Sequence, residues 1–417
     1  MTLQPLPLAG VRVVDYSHFL AGPYLSRCLA GLGADVIKVE RPKAGDSGRV
    51  HAYILGPNLS GYFLQQNMGK RGLCINVKDP RGLALMHKLV GGADVFVENY
   101  RPGALDKLGL GYAQLSALNP RLVYCSVSAY GHTGPDSQRP GFGLIAEARS
   151  GAMDLIGMPG EPPPLFRMPI ADMYAGIHGV AGVCAALLGR ASTGKGRHVD
   201  IALLDCMVSM HDYAVQCYTM SGGKEIPKRT GQDLPQSTVY GVFPASDGDV
   251  VIAAQVDDAW LRLAKLVGGD ALAADPRFHG TDNRNANRLE ALGRVRDWTK
   301  ARTVAECVAA LDGVEVPCAP VQRIDQVLAD PQVQARNMII EQEHPVAGTV
   351  RLANVPFKFS DCDATPTRPA PMMGEHNREI AAELGFPAAE IDAMVRDGVL
   401  YAEPAAARPA IAQAGGR

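Results

Sequence analysis

The chain has 417 residues, 47% of them hydrophobic and 20% charged, with a formal net charge of −2. That balance excludes wholesale disorder, the length asks for two or three domains, and the absence of a basic stripe excludes a nucleic-acid surface. The N-terminus, MTLQPLPLAG, has no charged start and no long apolar core, so no secretory signal is read there. The longest nearly apolar stretch, 177–189, is too short to span a bilayer. A cytoplasmic protein with no membrane partner is expected.

In chain order, residues 11–15, 35–40, 73–77, 94–98, 122–127 and 199–203 are short, β-branched and apolar at nearly every position. Strands buried on both faces have this pattern. Helical segments fall between them. GPYLSRCLAGLG carries Pro23 near a first helical position and ends in Gly31 and Gly33. DPRGLALMHKLVGG offers Asp79 as N-cap, Pro80 at the first position and Gly91 at the exit. The alternation predicts an α/β fold with a doubly wound parallel sheet. This large domain is expected over 1–215, followed by a polar linker over 216–238. VYGVFPA and DVVIAAQ flank Ser-Asp-Gly, a hairpin signal. With helices near 259–267, 286–300 and 304–311 they predict a small α+β domain over 239–325. A strand-like return segment and closing helices over 326–405 are assigned to the large domain, and 406–417 to a disordered tail.

In an open parallel sheet, ligands bind beyond the carboxyl ends of the strands. Those ends carry Ser17-His18, Glu40-Arg41, Asn76-Val77-Lys78 and Glu98-Asn99-Tyr100-Arg101. No G-x-G-x-x-G, phosphate-binding loop, nucleophile elbow or H-E-x-x-H motif is present. The ten His and nine Cys are scattered, so neither a metal site nor a disulfide scaffold is expected. Asp172 follows the extended PPPLFRMPI and is read as the N-cap of a helix over 173–189. Met173, Ile177, Val180, Cys184 and Leu187 form an apolar stripe on that helix, and Ala175, Gly176, Gly179 and Gly182 allow close packing. A helix N-terminus favours an ionised carboxylate, and that is the form in which a carboxyl group acts as nucleophile in covalent catalysis.

Several runs carry a resemblance: GVRVVDYSHFLAGP, GLGADVIKVERPKAGD, NMGKRGLCINVKDPRG, ADVFVENYRPGALDKLGLGY and MPIADMYAGIHGVAGVCAALLGRASTGKGRHVDIALLDC. In this order and spacing they resemble the class III CoA-transferases, the CaiB/BaiF family that includes formyl-CoA transferase. The resemblance implies a Rossmann-like large domain and a small domain, with two chains interlocked as a homodimer. It implies a substrate, an acyl-CoA, a small carboxylic acid as the other partner, and no permanently bound cofactor or metal. Asp172 falls on the family's nucleophile. His18, Phe19 and Ala21 fall on the loop that meets CoA, Arg41 on the adenosine contact, and Ile75 and Lys78 along the CoA channel. Asn99 and Tyr100 fall on the pair at the pantetheine and diphosphate. Lys107 stands where formyl-CoA transferase has Arg, which keeps the charge and loses the bidentate fork.

The sequence departs from formyl-CoA transferase in two places. Gly143 stands where that enzyme has a carboxylate, with Glu147 one helical turn on. The region 231–237 reads GQDLPQS in place of a glycine-rich lid. Arg49, Arg71 and Arg167 are candidates for neutralising a second carboxylate, which would favour a dicarboxylic acceptor such as succinate. The alternatives are an α-methylacyl-CoA racemase, whose His-Asp pair is replaced here by Phe142-Gly143, and a non-catalytic acyl-CoA-binding protein.

Overall fold

The computed structural model describes residues 4–234 and 236–403. The chain forms two compact units. One takes the residues up to Ser150, Phe166–His211 and those from Pro331 on; the other takes Gly151–Leu165 and Asp212–Asp330. The tail expected over 406–417 lies outside the described residues.

The first unit is built on six parallel strands: β1 (Arg12–Tyr16), β2 (Asp35–Glu40), β3 (Arg71–Cys74), β4 (Val95–Glu98), β5 (Val123–Ser128) and β6 (His198–Ala202). Their order is β3-β2-β1-β4-β5-β6, the doubly wound arrangement whose direction reverses between β1 and β4. Every residue of β4 and β5 is buried, which is why these strands read as unbroken apolar runs. Strand bounds match the sequence reading to within one residue except at β3. β3 stops at Cys74, after which Ile75 pairs with Leu400 by an isolated bridge. Leu203 opens a helix instead of closing β6.

Helix α1 (Ala21–Gly31) follows β1, and α2 (Pro80–Gly91) follows β3 with the Asp79 carboxylate accepting from Arg81 N–H. Helix α3 (Gly143–Arg149) precedes α4 (Ile170–Thr193). With 24 residues, α4 is longer than expected and is long and apolar enough to cross a membrane, yet it lies against α1, β5 and β6 within this unit. Its buried face is Ala171, Ala175, Gly176, Gly179, Val180, Val183 and Ala186. The stripe read from the sequence is corrected accordingly: Met173, Ile177, Cys184 and Leu187 are only half-buried, and the small residues make the contact. A Cβ at Gly176 would lie 2.7 Å from the Tyr24 ring, and one at Gly182 2.8 Å from Val199. Small residues here set the distance between helix and sheet.

The return segment enters the first unit without joining the sheet. Strands Ile339–His344 and Gly348–Ala353 pair antiparallel as a separate ribbon. Val346, just between them, joins Leu59, Phe63, Leu64, Ala370 and Met372 in a satellite core.

The second unit holds a three-stranded antiparallel sheet of Tyr240–Pro244, Asp249–Ala253 and Cys318–Pro320. It packs around Trp260, Phe243, Phe278 and Val295. This is the α+β arrangement that the Ser-Asp-Gly hairpin signalled. The stretch read as a linker is part of this unit: it contains most of a helix, Ala214–Met220, and Asp233 bridges to Gly241.

Candidate active site

At the switch point, β1 and β4 diverge and the loops after them meet. Asn99 Oδ1 accepts from His18 N–H (2.8 Å) and Asn99 Nδ2 donates to the His18 carbonyl (2.7 Å). The His18 ring lies 4.8 Å from that of Tyr100. Phe19 sits in the left-handed region, φ 60°, an uncommon conformation for a bulky residue. Its N–H donates to Asp46 Oδ1 at 2.9 Å.

Asp46 is itself held from below. Lys38 Nζ lies 2.7 Å from Asp46 Oδ2 and donates to the Ser17 carbonyl. Lys70 lies 2.9 Å from Asp15, which also accepts from Ser17 and Ser26. These four charged side chains are fully buried or nearly so. Burial works against the Asp15 carboxylate, yet Lys38 and Lys70 hold it well below the usual range. Burial pushes Lys70 down to about 8 against the pull of Asp15. The His18–Phe19 loop thus rests on an ionic foundation that fixes backbone, where a free loop would sample many conformers.

Asp172 is not the N-cap of its helix. The helix begins at Ile170, Pro169 holds the cap position, and Asp172 lies inside the first turn. The orphan donor at Ala171 is taken by the buried Glu147, whose Oε1 accepts it at 3.3 Å. The Asp172 carboxylate is therefore left to face the cavity. Burial, and then the neighbouring Glu147, push it up to about 6. The lowering expected from the helix N-terminus is outweighed. Gly143 explains itself here, because a Cβ at that position would run into the Asp172 carboxylate. Tyr62 faces the same group: burial, Asp172 and Asp46 hold its hydroxyl far above the ordinary phenol range. It is a neutral donor at the edge of the site, stacked edge-on against His51 at 4.9 Å.

A cavity of about 380 Å³ opens above these loops, lined by His18, Phe19, Ala21, Asn99, Tyr100 and Asp172. Six of the sequence-nominated residues therefore come together. Others do not: Arg41, Lys78 and Lys107 are exposed and outside the lining. Ile75 is fully buried in the hydrophobic core, since its position after β3 turns it inward against the closing helices. The three arginines proposed for a second carboxylate fare differently. Arg49 is fully buried and paired with Glu40 at 2.7 Å. Arg71 is committed to Asp35, Glu379 and Glu383. Arg167 is exposed and outside the lining. The cavity instead carries Arg101, which the sequence reading noted at a strand end, and Ser137 and Arg139, which it passed over. The only hint was the turn-rich run SQRPGFG leading into α3. Among the described residues, no group of three or more His, Cys, Asp or Glu is placed to hold a metal ion.

Comparison with known proteins places the chain in a family. A model of CoA-transferase family III matches residues 8–377. The chain is 35% identical to succinate–glutarate CoA-transferase of Agrobacterium fabrum, over 91% of this chain and 96% of that protein. It is 32% identical to succinyl-CoA:glutarate CoA-transferase of Homo sapiens, over 91% of this chain and 86% of that protein. Among solved structures, a CaiB/BaiF family protein from Brucella suis superposes with a TM-score of 0.82 at 37% identity, covering 91% of this chain and all (100%) of that one. With the family model spanning most of its length, the chain belongs to CoA-transferase family III.

Proposed function

We propose that this enzyme moves CoA from an acyl-CoA donor to a dicarboxylic acid acceptor through an aspartyl-CoA thioester on Asp172. The observation that carries the reading is the Asp172 carboxylate, freed from capping by Glu147 and facing the switch-point cavity. The names of the relatives, succinate–glutarate and succinyl-CoA:mesaconate CoA-transferases among them, support a dicarboxylate pair.

Each step balances. The Asp172 carboxylate attacks the donor thioester carbonyl, the C–S bond breaks, and CoA leaves as thiolate from a mixed anhydride. The thiolate then attacks the aspartyl carbonyl, forming a new C–S bond and releasing the donor acid. The acceptor carboxylate attacks this aspartyl-CoA thioester, and the thiolate released attacks the acceptor carbonyl of the second anhydride, which restores Asp172. A carboxylate pushed up to about 6 is more basic than an ordinary one yet ionised at pH 7.5, which suits a nucleophile. His18 and Asn99, locked to each other, support one fixed wall for the CoA ester, so that binding energy remote from the carbonyl assists the reaction.

The test is chemical trapping. The protein is incubated with succinyl-CoA, quenched with hydroxylamine, digested and weighed by mass spectrometry. A hydroxamate on Asp172, absent without the CoA ester, is the expected result. Transfer activity with an unmodified Asp172 peptide would end the covalent mechanism. Exchange of the α-proton of a branched acyl-CoA without any transfer would favour the racemase reading.

A further inference from the structure

We infer that Arg139 recognises the distal carboxylate of a dicarboxylic acyl group in the Asp172 cavity. The inference deepens the proposed function and rests on it for the identity of the reaction, but the recognition itself is a property of the cavity.

Two arginines line that cavity, Arg101 and Arg139. Arg101 directly follows Asn99 and Tyr100 at the end of β4. Arg139 lies four residues before Gly143, the residue that abuts the Asp172 carboxylate, so at most about 14 Å of extended chain separates them. The acyl group must lie beside Asp172 for its carbonyl to be attacked, which puts Arg139 on the acyl side.

Charge balance leaves Arg139 available. Among the described residues its one acidic neighbour is Asp136, at 3.2 Å. Asp136 also pairs with Arg149, whose guanidinium is held over the Tyr130 ring at 4.9 Å. One carboxylate thus faces two guanidinium groups, and the pair carries one positive charge in excess. Arg139 is the more exposed of the two, 63% against 41%, and an exposed ion pair of this kind is easily exchanged for another carboxylate. The planar guanidinium matches a carboxylate with two parallel hydrogen bonds. Ser137, in the same lining, adds a hydroxyl donor. The arginines nominated from the sequence are either locked in buried pairs or away from the cavity, so none competes for this role.

The experiment measures binding where turnover cannot occur. Equilibrium dissociation constants of glutaryl-CoA and pentanoyl-CoA, equal in chain length and differing in the terminal carboxylate, are determined by calorimetry on Asp172→Asn. They are then determined on Asp172→Asn carrying Arg139→Gln or Arg139→Lys. Glutaryl-CoA is expected to bind at least about tenfold more tightly than pentanoyl-CoA in the parent. The ratio should collapse to near one with Gln and recover in part with Lys, which keeps charge without the fork. No preference in the parent, or one that survives Arg139→Gln, overturns the inference. Equal weakening of both esters would also overturn it, because that marks a structural role. Transfer by the unmodified enzyme, assayed in parallel, reports separately on the proposed reaction: a preference that needs Arg139 in a protein that transfers no CoA would leave the recognition standing and remove the reaction.

Discussion

Two opposing influences act on the Asp172 carboxyl group. Its place in the first turn of a helix favours the anion, while burial and the adjacent Glu147 disfavour it, and the second influence prevails, with the group pushed up to about 6. Two outcomes follow from one ionisation. Because the attacking species in the proposed mechanism is the anion, kcat/KM should fall as pH drops through about 6, with a single ionisation on the acid limb. Stability moves the other way. The folded protein holds this proton up to about pH 6 and the unfolded chain only to about 3.8, so the native state gains stability as pH falls through that window. At pH 7.5 the strained anion costs up to about 3 kcal/mol. Asp172→Asn should therefore raise the urea midpoint at pH 7.5, and the gain should vanish below pH 4. Glu147→Gln keeps the acceptor for Ala171 N–H and removes the charge, so the acid limb should shift to lower pH by part of the displacement, the share due to burial remaining. An unmoved acid limb in that variant would show that the two carboxyl groups are not coupled.

At the scale of elements, the end of β1 depends on charges that no periodicity reveals. Lys70 contacts Asp15, Asn67 Oδ1 and the Pro23 carbonyl at 2.8–3.0 Å in a fully buried site. Lys70→Met would leave the buried Asp15 with Lys38 alone at 3.9 Å. Breaking a buried pair from one side typically costs about 3–5 kcal/mol. Urea unfolding should show a lower midpoint at unchanged slope, and a midpoint within error of the parent would mean that the network carries no net stability. The same region shows what could be read in advance. Strands and crossover helices were legible because two-sided burial writes itself as β-branched runs, and Asp79-Pro80 announces a helix start. The loop after β1 was legible as a strand end. Its support was not, since Asp46, Lys38 and Lys70 carry no local pattern that links them to Asp15 and meet it only after two crossovers. Asp172 was nominated by resemblance and misplaced as a cap for a local reason: an Asp after Pro-Ile-Ala looks like an N-cap, and Glu147, which takes the orphan donor, lies 24 positions before Ala171. Arg139 was missed because an arginine in a polar turn has no signature until the cavity is formed.

For the molecule as a whole, the open question is association, and the exposed apolar side chains are where it would act. Tyr53, Met168 and Leu188 in the first unit and Met220 and Ile226 in the second are exposed by between 64% and 84%. Burying a side chain of this size is worth about 1.5–3 kcal/mol, so a partner that covered them in a contiguous patch would gain from each. The interlocked homodimer expected from the family resemblance supplies one from the same chain. Light scattering at micromolar concentration should then give about twice 44.3 kDa, and Tm should rise with protein concentration. Interlocking adds a kinetic signature that a simple face-to-face dimer lacks. Two linked chains cannot part without one of them opening, so subunit exchange is limited by unfolding, which is slow for a stable domain. Tagged and untagged preparations mixed under native conditions should form no mixed dimers over hours, and should form them in the statistical proportion after denaturation and refolding together. Exchange within minutes would replace the interlocked arrangement by an ordinary interface, and a mass of 44.3 kDa at every concentration would remove the dimer altogether.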